Sequence, residues 1–193
     1  MINTIYTIGH SNHPLEKFLE LLEEHAIEVL VDVRSQPFSR YVPHFNKPEL
    51  EKALARKGIR YLFMGRELGA RQRDDSLYDN KQKVDYSRLA KTANFQTGLD
   101  RLRRGVETYR IACMCAEEDP AMCHRGLLIA EQLKNDVGVL HIRADGRLET
   151  HAEMLERVKE KITPENASQL LLPGLEDDVA LARRIRKVAY RKT

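Results

Sequence analysis

Short apolar runs alternate with amphipathic stretches along most of this chain, and that alternation restricts the fold more than any other feature. `TIYTI` (Thr4 to Ile8), `EVLVDV` (Glu28 to Val33), `IRYLFM`, `TYRIACMC` and `VGVLHI` each read as a strand, and `EVLVDV` and `TYRIACMC` as buried ones. Helical signals separate them. After Pro14, Leu15, Phe18, Leu19 and Leu22 recur at helical spacing. Asn46 stands where a cap would start a helix from about Lys47 to Lys57. Longer helices are expected from about Tyr86 to Arg104 and from Pro120 to Leu133. Strand, helix and strand in repeated succession predict an α/β fold, a mainly parallel sheet flanked by helices on both faces.

The remaining segments carry weaker signals. The polar, glycine-punctuated stretch from Gly65 to Val84 reads as a mobile loop or lid. Asp145-Gly146 is a turn signal, so an antiparallel pair around `RADGRLETH` fits the pattern. Thr150 and Glu153 have capping-box spacing, `LLLPGLEDD` reads as a linker, and a last helix is expected from about Glu176 to Arg191. These readings describe one α/β domain over residues 1–193, with a core of about 1–142 and a C-terminal helical extension of about 150–193.

Composition excludes more than it identifies. The net charge of +3, from 32 basic and 29 acidic residues, is too mild to mark a nucleic-acid binder. No apolar run approaches the roughly 18 residues of a membrane span, and `MINTIYTIGHSN` lacks the features of a secretory signal. Three cysteines, an odd number, imply free thiols in a reducing, cytoplasmic setting rather than a disulfide framework.

Placement picks out the functional residues. In open parallel sheets ligands collect beyond the carboxyl ends of the strands. His10 and Ser11 follow the first predicted strand, Asp32 and Arg34 end the second, Cys113 and Cys115 end the fourth, and His141 ends the fifth. Asp32 and Arg34 alternate onto one face across Val33, where an ion pair is equally compatible with a structural role. Ser39 and Arg40 extend the set as anion contacts, and Arg125 would screen a ligand's charge from a helix start. Glu117, Glu118 and Asp119 would oppose an anion unless they point elsewhere. Cys115 and Cys123 lie near arginines or a helix start, conditions that favour a nucleophilic thiolate, while Cys113 reads as a small buried hydrophobe. His124 suits either acid/base work or a cap. A metal is not assigned: Cys113-Met-Cys115 belongs to a strand, and the adjacent Cys123 and His124 are expected to point in different directions. No cofactor is expected.

`YTIGHSN`, `LVDVRSQPFSR`, `GIRYLFMGRELGAR`, `CMCAEEDPAMCHR` and `LHI`, in this order, resemble the DUF488 family of uncharacterised conserved proteins over most of the first 142 residues. The resemblance implies a compact α/β protein with a parallel sheet. It also implies a common pocket involving His10, Ser11, Asp32, Arg34, Pro37, Ser39, Arg40, Leu68, Gly69, Cys115, Glu117, Cys123, His124, Arg125 and His141. Ala70 stands where the family's `LGG` has its second glycine. No settled activity or cofactor comes with the family.

Three functions remain compatible with these residues. The first is a hydrolase or transferase acting on a phosphate-bearing or nucleotide-like substrate. It would have Arg34, Arg40 and Arg125 on the anion, His10 or His124 moving a proton, Asp32 orienting, and Cys115 or Cys123 as nucleophile. The second is a nucleic-acid binding or regulatory module using the basic residues from Arg56 to Arg73 and those of the last helix. Tyr61, Phe63 and Tyr78 are its candidate stacking groups. The third is a metal-binding protein. A small anionic ligand, a nucleic acid and a second copy of the chain are the partners these readings allow; a membrane is not.

Overall fold

The computed structural model describes residues 3–160 and 176–191. The strands are β1 (Thr4–Gly9), β2 (Val29–Asp32), β3 (Arg60–Phe63), β4 (Ile111–Cys115), β5 (Gly138–Ile142) and β6 (Leu148–Thr150). They form one sheet in the order β3-β2-β4-β1-β5-β6. The first five are mutually parallel, and β6 runs antiparallel to β5 through the Asp145-Gly146 turn, where Gly146 takes a φ of 88°. The expected α/β architecture is present.

Burial explains why the sheet is parallel. Every residue of β2 and β4 is buried, as the continuous apolar runs require, because helices cover both faces. Alternation along the strands divides the core. Val29, Val31, Cys113, Cys115 and Val139 join one apolar cluster; Leu30, Ala112, Met114, Tyr6 and Ile142 join the other. Helices α1 (Leu15–Glu24) and α2 (Lys47–Arg56) pack on the second cluster through Phe18, Leu21, Leu22, Leu50 and Leu54. The first is covered by α3 (Gly65–Leu68), α4 (Tyr86–Ala90), α5 (Ala93–Gly105), and a π-helical turn, Arg125–Ala130, that runs into α6 (Glu131–Leu133). Helix α7 (His151–Glu160) starts with the Thr150/Glu153 capping box, both reciprocal bonds being formed. Leu181, Ile185 and Val188 of α8 (Glu176–Val188) pack against the first cluster.

Four expectations need correction. The helix expected from Tyr86 to Arg104 is two helices, because Asp85 and Thr92 each cap a new start with a side-chain oxygen. The helix expected from Pro120 is a 3₁₀ turn (Pro120–Met122), an extended Cys123, and then the π turn. Asn46 precedes α2 but caps nothing, since its Oδ1 accepts from the Ser39 N–H. The stretch from Gly65 to Val84 is not an open loop: Leu68, Ala70, Leu77, Tyr78 and Val84 are buried in the first cluster. Of the stretch `LLLPGLEDD`, residues 170–175 lie outside the described residues, and its last three open α8.

The topology creates a crevice at the carboxyl edge. The chain leaves β1 toward α1 on one face and leaves β4 toward the π turn on the other, although β1 and β4 are neighbours. Such divergence is where an open sheet leaves room for a ligand. At this point the loop after β4 crosses the end of β1. A Cβ added at Gly9 would run into the Glu117 carbonyl and the backbone of Glu118, so glycine is required by space rather than by conformation. The next link is strained: Ser11 has a φ of 47°, with its N–H donating to the Ala116 carbonyl.

Candidate functional site

A pocket of about 570 Å³ opens at this crevice, lined by residues that follow β1, β2 and β4. Its polar wall rests on Arg34. The carboxylate of Asp32, fully buried, accepts from Arg34 Nε and Nη2, with the shortest contact 2.6 Å, and also from the Arg34 backbone N–H. Tyr61 Oη donates to the same carboxylate at 2.7 Å. Arg34 Nη2 additionally reaches the Phe45 carbonyl at 2.8 Å, and Nη1 lies 3.2 Å from His10 Nε2. Of the guanidinium's five hydrogens, one on Nη1 has no partner among the described residues.

His10 serves this arginine. Its Nδ1 lies 2.8 Å from the Ser11 carbonyl, which can only accept, so Nδ1 carries the proton and Nε2 presents its lone pair to Arg34. The ring stacks on Phe45 at 4.4 Å. Burial, reinforced by the Arg34 charge, pulls its pKa down to about 4, so the imidazole is neutral at pH 7. Both ring nitrogens are engaged, which suits orientation of the guanidinium better than proton transfer.

The opposite wall is a cluster of thiols around one imidazole. His124 Nε2 donates to the Val33 carbonyl at 3.1 Å, leaving the Nδ1 lone pair free. Cys115 Sγ lies 3.6 Å and Cys123 Sγ 3.7 Å from that nitrogen. The sequence expectation that Cys123 and His124 diverge is therefore overturned. Cys123 is extended, with φ −141° and ψ 149°, and His124 is helical, with φ −62° and ψ −23°; this kink turns both side chains to one point. Cys115 Sγ is also 3.4 Å from Glu117 Oε2, while Glu117 Oε1 accepts from Tyr190 Oη at 3.0 Å. Burial opposes a charge on His124, but Cys123, Glu117 and the Val33 carbonyl outweigh it and raise the pKa. Burial and the neighbouring Cys115 hold the Cys123 thiol well above the ordinary range, and burial alone lifts Cys113 to about 12. Cys113 lies in the core as a small hydrophobe and does not line the pocket.

Several expected contacts do not reach the pocket. Arg125 is fully buried; its guanidinium donates to the carbonyls of Glu117 and Glu118 and to Thr7 Oγ1. It pins the loop after β4 and does not line the pocket. His141 is fully buried between Thr7 Oγ1, at 2.7 Å, and His151 Nδ1, at 3.2 Å. Burial, His151 and Arg125 push its pKa well below the usual value. Arg40 is exposed and lies over the Tyr41 ring, 5.0 Å from its centroid, outside the lining; Ser39 lines the pocket, but its hydroxyl accepts from the Tyr41 N–H. Ser11 lines it directly. The acidic loop explains itself: Glu118 pairs with Arg143 and Asp119 with Arg157, and only Glu117 faces the pocket.

Four of the lining residues that sequence did not single out carry aromatic or charged groups suited to a ligand. Phe38 and Tyr41 stand at the rim, 73% and 80% exposed. Arg71 and Tyr190 close another side, with the Arg71 guanidinium 5.2 Å from the Tyr190 ring centre. The rim aromatics sit in `QPFSRYV`, whose turn formers hide them among loop residues; Tyr190 is brought in by the chain after α8, with no local signal at all. Of the candidate stacking groups, Tyr78 is buried and hydrogen-bonded to the Gln72 carbonyl, and Tyr61 serves Asp32. A second depression of about 410 Å³ shares Ser35, Gln36 and Arg71 with the main pocket and adds Arg73 and Arg191.

The model of the family described as "Domain of unknown function DUF488" matches residues 14–132, more than half of the chain. The chain belongs to this family, and the match takes in Asp32, Arg34, Cys115, Cys123 and His124. No curated protein and no solved structure matches it. Among the described residues no helix is long and apolar enough to cross a membrane.

Proposed function

We propose that this member of the DUF488 family is a cysteine-dependent hydrolase or transferase acting on a phosphate-bearing, nucleotide-like substrate. One observation carries the reading: the free lone pair of His124 Nδ1 lies 3.6 Å from Cys115 Sγ, at the base of a pocket whose other wall offers an oriented arginine. A thiol beside a base is the arrangement that nucleophilic catalysis needs.

The step follows from that placement. His124 Nδ1 takes the Cys115 proton, and the thiolate attacks the substrate's phosphorus. The bond from phosphorus to the leaving oxygen breaks, with its electron pair going to that oxygen, and the imidazolium returns the proton there. Water or an acceptor hydroxyl, deprotonated by the same imidazole, then displaces Cys115 and restores the thiol. Arg34 holds a non-bridging oxygen through its spare Nη1 hydrogen, with Asp32 and His10 fixing the guanidinium plane. Phe38 and Tyr41 offer ring faces for a base.

A contiguous basic groove supports a second reading in which the ligand is a nucleic-acid strand and no bond is broken. Arg71, Arg73 and Arg191 line the depression beside the pocket, a concentration of positive charge suited to a phosphate backbone. One screen separates the two. Turnover of nucleotides, phosphodiesters and short oligonucleotides is measured for the wild type, Cys115→Ser and Arg34→Ala. Product formed by the wild type and reduced at least about 10³-fold by Cys115→Ser, with the fold retained, supports the enzyme. Salt-dependent oligonucleotide binding that survives Cys115→Ser, without any turnover, establishes the module instead.

A further inference from the structure

The thiol cluster has a geometric peculiarity that nucleophilic catalysis leaves unused. Two thiols converge on one imidazole lone pair, and a neutral imidazole nitrogen can accept only one good hydrogen bond. All three donor atoms lie within 4.8 Å of one another, and all three residues are buried. A cation at their centre would use every lone pair at once.

We propose that Cys115, Cys123 and His124 form a binding site for a zinc-class divalent cation. Distances carry the assignment first. With metal–sulfur bonds of about 2.3 Å and a metal–nitrogen bond of about 2.0–2.1 Å, a tetrahedral site holds each sulfur about 3.6 Å from the nitrogen. The observed separations are 3.6 and 3.7 Å, with no ion needed to draw the groups together. The remote nitrogen of His124 is the second argument. A metal-bound imidazole characteristically donates its other N–H to a carbonyl or carboxylate, and His124 Nε2 donates to the Val33 carbonyl. Third, Glu117 Oε2, 3.4 Å from Cys115 Sγ, is an oxygen available for the fourth corner, and Tyr190 steadies its carboxylate.

Two thiolates and an imidazole select zinc and its soft-accepting neighbours over magnesium or calcium. Cys115 and His124 both line the pocket, so an ion has a route in. Binding expels the two thiol protons to solvent, and it withdraws Cys115 from nucleophilic attack. The site and the thiol chemistry are thus alternative states of the same residues, and the test below does not depend on turnover.

The full-length chain is reduced, stripped with a chelator and titrated with zinc against a chromophoric competitor. Metal content after desalting and protons released in weak buffer are read in parallel. The wild type should take up one ion and release two protons, and Cys113→Ala should do the same. Cys115→Ser, Cys123→Ser and His124→Gln should each lose on the order of 100-fold in affinity. Because a buried-site variant can misfold, a second measurement uses wild type alone: one equivalent of zinc should suppress alkylation of Cys115 by iodoacetamide, and cobalt should give thiolate-to-metal charge-transfer absorption. Zinc uptake that is absent, that persists unchanged in Cys115→Ser and Cys123→Ser, or that leaves Cys115 alkylation at its metal-free rate overturns the site.

Discussion

Arg34 and Arg125 invite comparison because both are buried, both follow strands at the carboxyl edge, and only one lines the pocket. Arg34 is answered by a carboxylate, Asp32, and sits in the pocket wall with one hydrogen to spare. Arg125 is answered by two backbone carbonyls and a hydroxyl, and its side chain is sealed from solvent. The first arrangement neutralises the charge and leaves a directional donor. The second spends the guanidinium on holding the loop that carries Glu117 against β1. A buried arginine is therefore a ligand contact or a bolt according to its acceptors, and its position relative to a strand end does not decide between them.

The largest expected effect tests the bolt. Arg125→Met should destabilise the protein by about 5 kcal/mol, since three acceptors lose their partner at roughly 1–3 kcal/mol each before relaxation. Urea unfolding measures it, and no second substitution at a side chain should rescue it, because the acceptors that matter most are main-chain. An effect below about 1 kcal/mol would show that the loop holds without its arginine.

Arg34 should behave differently under the same treatment. Arg34→Met alone leaves a buried carboxylate exposed to desolvation and should cost about 3–5 kcal/mol. Combined with Asp32→Leu, at least about 1 kcal/mol should return, giving a clear coupling in a double-mutant cycle. Additive losses would mean that the two residues do not act as a pair.

His10 sharpens the comparison through pH. Its folded pKa of about 4 lies below the ordinary histidine value of 6.5, so the unfolded chain binds the extra proton in the interval between them. The stability this neutral imidazole supports is complete above pH 6.5 and is lost as pH falls toward 4, a change of at most about 3 kcal/mol. Stability of the wild type minus that of His10→Gln, followed from pH 7 to 4, should decline across this window. A flat difference would mean that the ring is not held neutral beside Arg34.

The smallest effect lies at the rim. Phe38→Ala and Tyr41→Ala should each change folding stability by less than about 0.5 kcal/mol, as exposed positions do. Each should weaken binding of a nucleotide or oligonucleotide by about 1 kcal/mol, roughly fivefold, if the rings stack on a base. Equal affinity for inorganic phosphate in both variants would localise the loss to the base.

These contrasts also mark how far the sequence could be read. Continuous apolar runs made β2 and β4 legible as buried strands, and their ends carried Asp32, Arg34 and Cys115 to one edge, because a parallel sheet aligns strand ends whatever separates them in sequence. Side-chain acceptors lay beyond that logic. Nothing in `CHRGLL` distinguishes an arginine facing a pocket from one turned onto the carbonyls of its own loop. His141 shows the same limit: it stands near the end of β5 as expected, yet its ring lies between Thr7 and His151. The convergence of Cys123 with His124 depends on an extended residue followed by a π turn, and neither has a composition signature. Tyr190 reaches the pocket by tertiary packing from beyond α8, a relation no local pattern encodes.

The absent side chain at Gly9 sets the scale of this edge. Because the Glu117 carbonyl occupies the volume a methyl group would fill, the β4 loop rests directly on the end of β1. His10 and Cys115, separated by more than a hundred positions along the chain, are thereby gauged against each other by backbone contact, the His10 N–H donating to the Cys115 carbonyl at 3.0 Å. One added carbon would act as a shim, lifting the wall that carries the thiols from the wall that carries the arginine. The width of the pocket is, in this sense, written at a position that offers no chemistry of its own.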